Sequence, residues 1–299
     1  MEDIITFYEL VHDESEPPEP IIDDGVLLDK TILIVIGEAK AKKSFLAMNF
    51  ALSISKGSGF AGFTVQNSNK VLLLSAEGGY FPTRERVKVM TREEQDVVLK
   101  NIFFRKYVNL SIDDDDDYQT IRRMIEYSKP KVVIFDPLIK FHGQDENSSM
   151  AMNIVFKRFR ELNNDYGISI IIVHHTGKNI SRGGRGSSLI TGEYDSAITM
   201  KKLGEKSELS FDMRHIEAPK PRSIVFNKDT FWFESVDTEN HVVEYLKEHG
   251  PVSRTEIVNE WVSTDTYQSS HSYRLLKEAI ERDLVSEGDD GKLHINENE

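Results

Sequence analysis

The chain has 299 residues, 39% of them hydrophobic and 29% charged, with 50 acidic against 37 basic residues and a formal charge of −13. That length suits one large domain and a small one, and the absence of cysteine excludes disulfides, thiolate metal sites and a cysteine nucleophile. The acidity argues against a surface that coats duplex nucleic acid throughout, although a local basic loop can sit in an acidic chain.

No run reaches the roughly 18 apolar residues of a membrane span. The acidic start MEDIITFYELVHDE is no signal peptide, which makes the cytoplasm the expected compartment. Residues 1–25 are acidic and carry SEPPEP, predicting an extended arm rather than a packed element. From Thr31, apolar runs at 32–36, 71–76, 102–104, 131–136 and 168–175 alternate with helix-spaced segments at 44–55, 118–128 and 150–165. Continuous apolar strands separated by helices predict an α/β fold with a mostly parallel central sheet covered on both faces. The acidic run Asp113–Asp117 reads as a solvated turn and helix start rather than a metal site. Short alternating runs at 196–203, 206–215, 222–227 and 230–235 predict antiparallel strands that close one sheet edge. From His241 two helices, a longer third helix and a hairpin around Asp289–Gly291 follow in the order of a winged helix.

The stretch IGEAKAKKSF, residues 36–45, departs at one place from the phosphate-loop pattern G-x-x-x-x-G-K-S/T. Gly37, Lys43 and Ser44 are present, but Lys42 stands where the second glycine belongs. Alone, the stretch supports either a nucleotide site or a merely basic loop. Its context has the required buried strand before it and amphipathic helix after it, and a helix starting there aims free N–H groups at an anion. Lys43 then reaches the β- and γ-phosphates of ATP and the Ser44 hydroxyl ligates Mg²⁺, with Glu38, Ala39, Lys40 and Ala41 completing the loop and Phe45 following it. Lys42 gives up the backbone freedom of glycine and adds positive charge beside the phosphates. The other strand ends agree: KVVIFD ends in Asp136, an acid for the Mg²⁺ shell, VLLLSAEGG carries Glu77, and IIIVHHTGK carries His174 and His175. In an open parallel sheet, ligands bind at these carboxyl ends. A lysine, a glutamate, an aspartate and a histidine pair converging there identify a nucleotide site. A metal site on the two histidines is disfavoured, because adjacent strand residues point to opposite faces; one of the pair is a packed histidine.

Over residues 16–235 the chain resembles the RecA-like ATPases of the plasmid replication helicase RepA family, and more distantly the DnaB-type helicases and archaeal RadA. The resemblance rests on EPPEPIIDDGVLLD, GEAKAKKSFLAMNFALSIS, VLLLSAEGG, VVIFDPLIKFHGQDENSS, IIIVHHTGK, RGSSLITGEYDSAITM and DMRHIEAPKP. It implies a RecA-like ATPase domain over 26–238, between the arm and a winged-helix-like domain over 239–299. It implies ATP and Mg²⁺ as ligands, Glu77 as the catalytic carboxylate and His175 as a γ-phosphate sensor. It further implies a homo-oligomeric ring, a hexamer, in which a neighbouring subunit supplies an arginine. Arg214 matches the region of that finger, with Arg185 as the alternative. A basic residue at position 42 is a tolerated variant in the family.

The glycine-rich GKNISRGGRGSS, residues 177–188, carries Lys178, Arg182 and Arg185. It suits a single-stranded DNA backbone, or it is an ordinary flexible loop. The segment from Phe141 to Met150 would be a first such loop, but it contains Asp145 and Glu146 and offers no stacking aromatics beyond Phe141 and His142. Residues 241–299 hold 13 acidic and 6 basic residues. Arg274, Lys277 and Arg282 share their helix with Glu278, Glu281 and Asp283, so this region reads as a protein-docking module, with DNA binding as the alternative. Two functions follow: a helicase or translocase on single-stranded DNA from a plasmid, virus or other mobile element, or a non-motor recombination mediator or nucleotide-gated regulator.

Overall fold

The computed structural model describes residues 4–92, 94, 96–175, 192–236, 241–264, 269–281, 284–288 and 290–296. Two compact units divide the chain, Met1–Val236 and Asp237–Glu299. The first is built on one sheet with strand order β3-β2-β4-β5-β1-β6-β7-β8-β9. Its strands are β1 (Ile32–Gly37), β2 (Val71–Ser75), β3 (Ile102–Phe104), β4 (Val132–Asp136), β5 (Ser169–His175), β6 (Ser196–Leu203), β7 (Lys206–Met213), β8 (Arg222–Phe226) and β9 (Phe233–Ser235). Strands from β3 through β6 are parallel, and β6 to β9 pair antiparallel.

The apolar runs explain the layering. Leu33, Val35, Leu73, Ile134, Ile171 and Val173 pack on one face of the sheet, while Ile34, Leu74, Phe135, Ile170 and Ile172 pack on the other. A side-chain period of two therefore serves two separate cores, so no polar alternation survives in the central strands. Helix α1 (Phe7–Val11) precedes the sheet, and α2 (Lys43–Lys56) covers the first face through Leu46, Phe50 and Ile54. Helices α3 (Tyr80–Met90) and α4 (Asp96–Lys100) follow β2. Helices α5 (Asp115–Ser128) and α6 (Ser149–Tyr166) cover the second face with Ile121, Ile125, Phe156, Phe159 and Leu162. Phe135 lies edge-on to Phe141 at 5.1 Å and to Phe159 at 4.9 Å; each such fully buried ring contributes about 1.5–3 kcal/mol relative to exposure.

Three local features differ from, or sharpen, the sequence expectation. The amino-terminal arm is not extended throughout. Thr6 caps α1 with a reciprocal Thr6–Glu9 capping box, and Ile21 and Ile22 are buried with Val26 and Leu27 around a tight turn bridged Ile22 to Leu27. Helix α3 carries no apolar stripe, and only Thr83 and Met90 on it are buried. The acidic run is structural: Asp114 caps α5 by accepting from the Asp117 N–H, Asp117 accepts from the Ser111 N–H, and Asp113 accepts from Gln144 Nε2 at 2.7 Å. No group of three or more His, Asp or Glu among the described residues forms a metal site.

The second unit contains α7 (His241–His249), α8 (Arg254–Ser263), α9 (Ser269–Glu281) and the hairpin β10 (Val285–Glu287) and β11 (Leu293–Ile295). Ser253 and Glu256 form a capping box for α8, and Val252 bridges to Leu293. Val242, Leu246, Ile257, Trp261, Leu276, Val285 and Leu293 form its own core. No helix among the described residues is long and apolar enough to cross a membrane.

Candidate functional site

Strands β2, β4, β5 and β1 lie side by side, and their carboxyl ends are in register, with Ser75 opposite Asp136 and Gly37 opposite His175. At about 4.8 Å between strands, these four ends form an edge about 14 Å wide. Gly37 closes β1 against β6, where an added Cβ would lie 2.6 Å from the Met200 carbonyl; no other residue fits. Glu38, Ala39 and Lys40 are exposed in the loop that follows, and Ala41 is buried. Lys40 and Lys42 both adopt φ of 66°, a left-handed conformation that costs a residue with a Cβ about 1–2 kcal/mol.

The Lys42 ammonium lies 4.0 Å over the Phe226 ring of β8, so its side chain is turned toward the antiparallel strands. Burial, then the charges of Lys202 and Lys228, lower its pKa. The contact with the ring returns part of the backbone cost. Phe45 belongs to the same aromatic group, 4.9 Å from Phe226 and 5.4 Å from Phe231.

Lys43 is 2% exposed, and its Nζ donates to the carbonyls of Gly37 at 2.7 Å and Glu38 at 2.8 Å. The loop's own oxygens thus occupy donors that phosphate oxygens can take. Burial lowers the Lys43 pKa to about 8, against the opposing charges of Asp136, Glu77 and Glu38. Ser44 Oγ donates to Asp136 Oδ1 at 3.1 Å. Asp136 ends β4 at 1% exposure, and burial pushes its pKa up to about 6, with the Ser44 hydrogen bond opposing. Lys42 ends the loop as the cap of α2 without a side-chain hydrogen bond to the first turn, which leaves that turn's N–H groups for an anion. A hydroxyl paired with a carboxylate, both hard oxygen donors, fits Mg²⁺, which takes few protein ligands and shares substrate phosphates.

Glu77 follows β2 and is half-exposed, its Oε2 lying 3.9 Å from His175 Nε2. Burial lowers the His175 pKa, and the Lys43 charge lowers it further. His174 is the packed member of the pair at 4% exposure, with Nδ1 3.7 Å from Glu146 Oε1. Glu146 also lies 3.5 Å from His142 Nε2. His142 Nε2, Glu146 Oε1, His174 Nδ1 and His175 Nδ1 are buried without a hydrogen-bond partner among the described residues. In the first loop, Phe141 is fully buried and His142 is 7% exposed. Neither ring face is open to solvent, and Glu146 turns inward toward His142 and His174.

Sequence reading missed Arg86. It lies half-buried on α3, its guanidinium 4.9 Å over the Phe45 ring and one nitrogen 3.4 Å from where a Cβ on Gly78 would sit. Its charge helps lower the Asp136 pKa, which sets a second cation beside Lys43 at the same edge. A recognisable signal existed: an arginine on the helix that leads directly from the Glu77 turn.

Arg214 lies elsewhere. Its NH2 donates to the Gly192 carbonyl at 2.7 Å and its NH1 lies 3.5 Å from Asp195. Asp195 also accepts from the N–H of Ile32, the first residue of β1. The loop follows the last residue of that strand, about 17 Å away. The proposed DNA contacts Lys178, Arg182 and Arg185 lie outside the described residues.

A family model for the AAA domain matches residues 6–181, more than half of the chain. Among solved structures, an isolated ATPase domain is 12% identical with a TM-score of 0.58, over 77% of this chain and 96% of that one. A DnaB-like replicative helicase, determined with its interactions with primase, is 11% identical with a TM-score of 0.56, over 77% of this chain and 65% of that longer one. The RadB recombinase is 13% identical with a TM-score of 0.51, over 70% and 92%. The strand-end site and these matches agree: the chain belongs to the AAA-domain family, and it is an ATPase on a RecA-like P-loop core.

Proposed function

We propose that this ATPase is a translocase or helicase on single-stranded DNA, working as a homo-oligomeric ring, most simply a hexamer. The observation that carries the reading is the shared edge of Lys43, Ser44, Asp136, Glu77 and His175, from which the chain runs straight into the basic 177–188 segment. Lys43 exchanges its loop carbonyls for the β- and γ-phosphate oxygens of ATP. Ser44 and Asp136 hold Mg²⁺, which when bound neutralises charge across those phosphates. Glu77 orients the attacking water and takes its proton. His175, beside Glu77, contacts the γ-phosphate side and couples hydrolysis to the basic segment that follows it in the chain, with Lys178, Arg182 and Arg185. The second unit, with the element order of a winged helix, docks a protein partner through its acidic surface. The likeness to the DnaB-like helicase core supports this reading. The likeness to RadB favours a second one, a recombination mediator that binds the strand without moving along it.

Phosphate release, measured with and without oligothymidylate and followed by strand displacement on a forked duplex, tests the proposal. Stimulation with unwinding, abolished in Lys43→Ala and lost in Arg182→Ala/Arg185→Ala, is the expected result. Stimulation without unwinding selects the mediator. Equal turnover in wild type and Lys43→Ala removes the site assignment.

The free enzyme binds MgATP productively with Asp136 ionised and Lys43 protonated. Asp136 titrates near about 6 and Lys43 near about 8. Below the first value a neutral carboxyl no longer ligates the ion, and above the second a neutral amine no longer attracts phosphate. A plot of kcat/KM against pH therefore has its plateau between about 6 and about 8 and falls roughly tenfold per unit on either side. An acid limb at the ordinary aspartate value near about 4 contradicts the assignment of Asp136. Burial, then the Lys43 charge, lowers the His175 pKa from its ordinary value, which favours the neutral ring.

A further inference from the structure

Three aromatic rings stand together outside the nucleotide site. Tyr80 opens α3, three residues beyond Glu77, and its ring lies 5.2 Å from that of Phe81. Lys106 and Tyr107 follow the end of the neighbouring strand β3. The Lys106 ammonium lies 4.5 Å from the Tyr80 ring centre and 5.6 Å from that of Tyr107, so one cation bridges rings from two segments. Arg84 lies 5.2 Å over Phe81. Phe81 is 60% exposed and Tyr107 69%, far more than packing aromatics of the core. Single exposed aromatics are ordinary; a contiguous set braced by two cations is not.

The charge around the rings is complementary to an anion. Glu85 is already paired with Arg84 at 2.6 Å and with Lys88 at 3.3 Å, so it does not repel one. Arg105 Nε donates to the Tyr107 carbonyl at 3.0 Å and fixes that turn. Strands β2 and β3 pair in register, Leu73 with Phe104, which holds the two halves on the carboxyl edge that also carries the nucleotide site. Exposed ring faces with ammonium and guanidinium donors between them have the chemistry of base stacking plus phosphate contact.

We propose that Tyr80, Phe81 and Tyr107, with Lys106 and Arg84, form a stacking platform for single-stranded nucleic acid. The identity of the polymer rests on the function proposed above. Because α3 begins at the turn that carries Glu77, a strand on the platform bears directly on the catalytic edge.

Fluorescence anisotropy of labelled oligothymidylate, with the full-length protein and several salt concentrations, tests the platform. Phe81→Ala and Tyr107→Ala each weaken binding by about 5- to 100-fold and the double variant by more, while Tyr107→Phe, which keeps the ring face, binds as wild type. Lys106→Ala reduces the salt slope by about one. Basal phosphate release stays within about twofold in all of them, which separates lost contact from lost folding. Wild-type affinity in the double variant overturns the platform while leaving the translocase reading intact. A raised KM for ATP with unchanged oligonucleotide binding assigns the rings to the mononucleotide's own base and also overturns it. Photocrosslinking of the strand to Tyr80 or Tyr107 without any change in phosphate release keeps the platform and removes the translocase. A wild type that binds no single strand overturns both.

Discussion

Glu77→Gln lowers kcat for ATP by about 10²–10⁴-fold while ATP affinity changes by less than about tenfold, the span of effect for a general base. The geometry separates the two quantities. In the proposed site Lys43, Ser44 and Asp136 hold the phosphates and the ion from α2 and β4, and none of them hydrogen-bonds to the Glu77 side chain. Glutamine keeps the shape and a hydrogen-bonding oxygen but cannot take the proton of the attacking water. The Glu77 carboxylate lies 3.9 Å from His175, whose ring in the proposed site is on the γ-phosphate side and not at the attacking water. Gly78 and Gly79, with φ of 85° and 70°, turn the chain immediately after Glu77 into α3, and the substitution leaves that turn unchanged. Phosphate release and binding of a fluorescent ATP analogue, measured on the same preparation, decide the point. A fall in kcat below about fivefold removes Glu77 from catalysis.

The sequence made the nucleotide edge legible for a physical reason. Buried parallel strands write uninterrupted apolar runs, so Asp136, Glu77 and His175 announce themselves as the polar residues where such runs stop. Gly37 and Ser44 carry a pattern whose backbone needs are local. What the sequence did not disclose depends on partners far along the chain. The direction of the Lys42 side chain is set by Phe226 on β8, which only the antiparallel end of the sheet brings beside the loop. Which aromatics are exposed is likewise a tertiary fact. Phe141 and His142, read as the available rings, are buried against Phe135 and the Glu146 cluster, whereas Phe81 and Tyr107 face outward beside the half-buried Tyr80. Helix α3 was silent because YFPTRERVKVM has no apolar face, with Thr83 and Met90 its only buried residues, and Arg86 was lost with it. The amino-terminal arm was read from its composition as extended. A capping box at Thr6 and two buried isoleucines are short-range features within it that composition does not resolve.

Arg214→Ala lowers the turnover of the assembled protein by about 10³-fold or more, the effect of removing an arginine finger, and an equal mixture with Lys43→Ala recovers about one quarter of wild-type activity. The argument starts from the sheet. Arg214 and Asp195 sit beside Ile32 at the amino end of β1, whereas the phosphate loop leaves its carboxyl end about 17 Å away. Arg214 therefore cannot reach the phosphates bound by its own subunit, and a catalytic effect requires a neighbouring copy in a head-to-tail interface. Asp195 does not hold it back. Its carboxylate takes two hydrogen bonds from Arg160, at 2.6 and 3.1 Å, and one from the Ile32 N–H at 2.8 Å, while Arg214 adds only a 3.5 Å contact from a half-exposed side chain. Such a pair contributes about 0–1 kcal/mol to stability, so Arg214→Ala folds, whereas Arg160→Ala strips a buried carboxylate of its main partner and unfolds more readily. In the mixture, a site works when an intact Lys43 meets an intact Arg214 across the interface, which random assembly gives at roughly one interface in four. Complementation measured at a concentration where the wild type is assembled checks this. A mixture no more active than either variant alone rules out Arg214 as the finger, and the same mixture made with Arg185→Ala in place of Arg214→Ala then tests the remaining candidate.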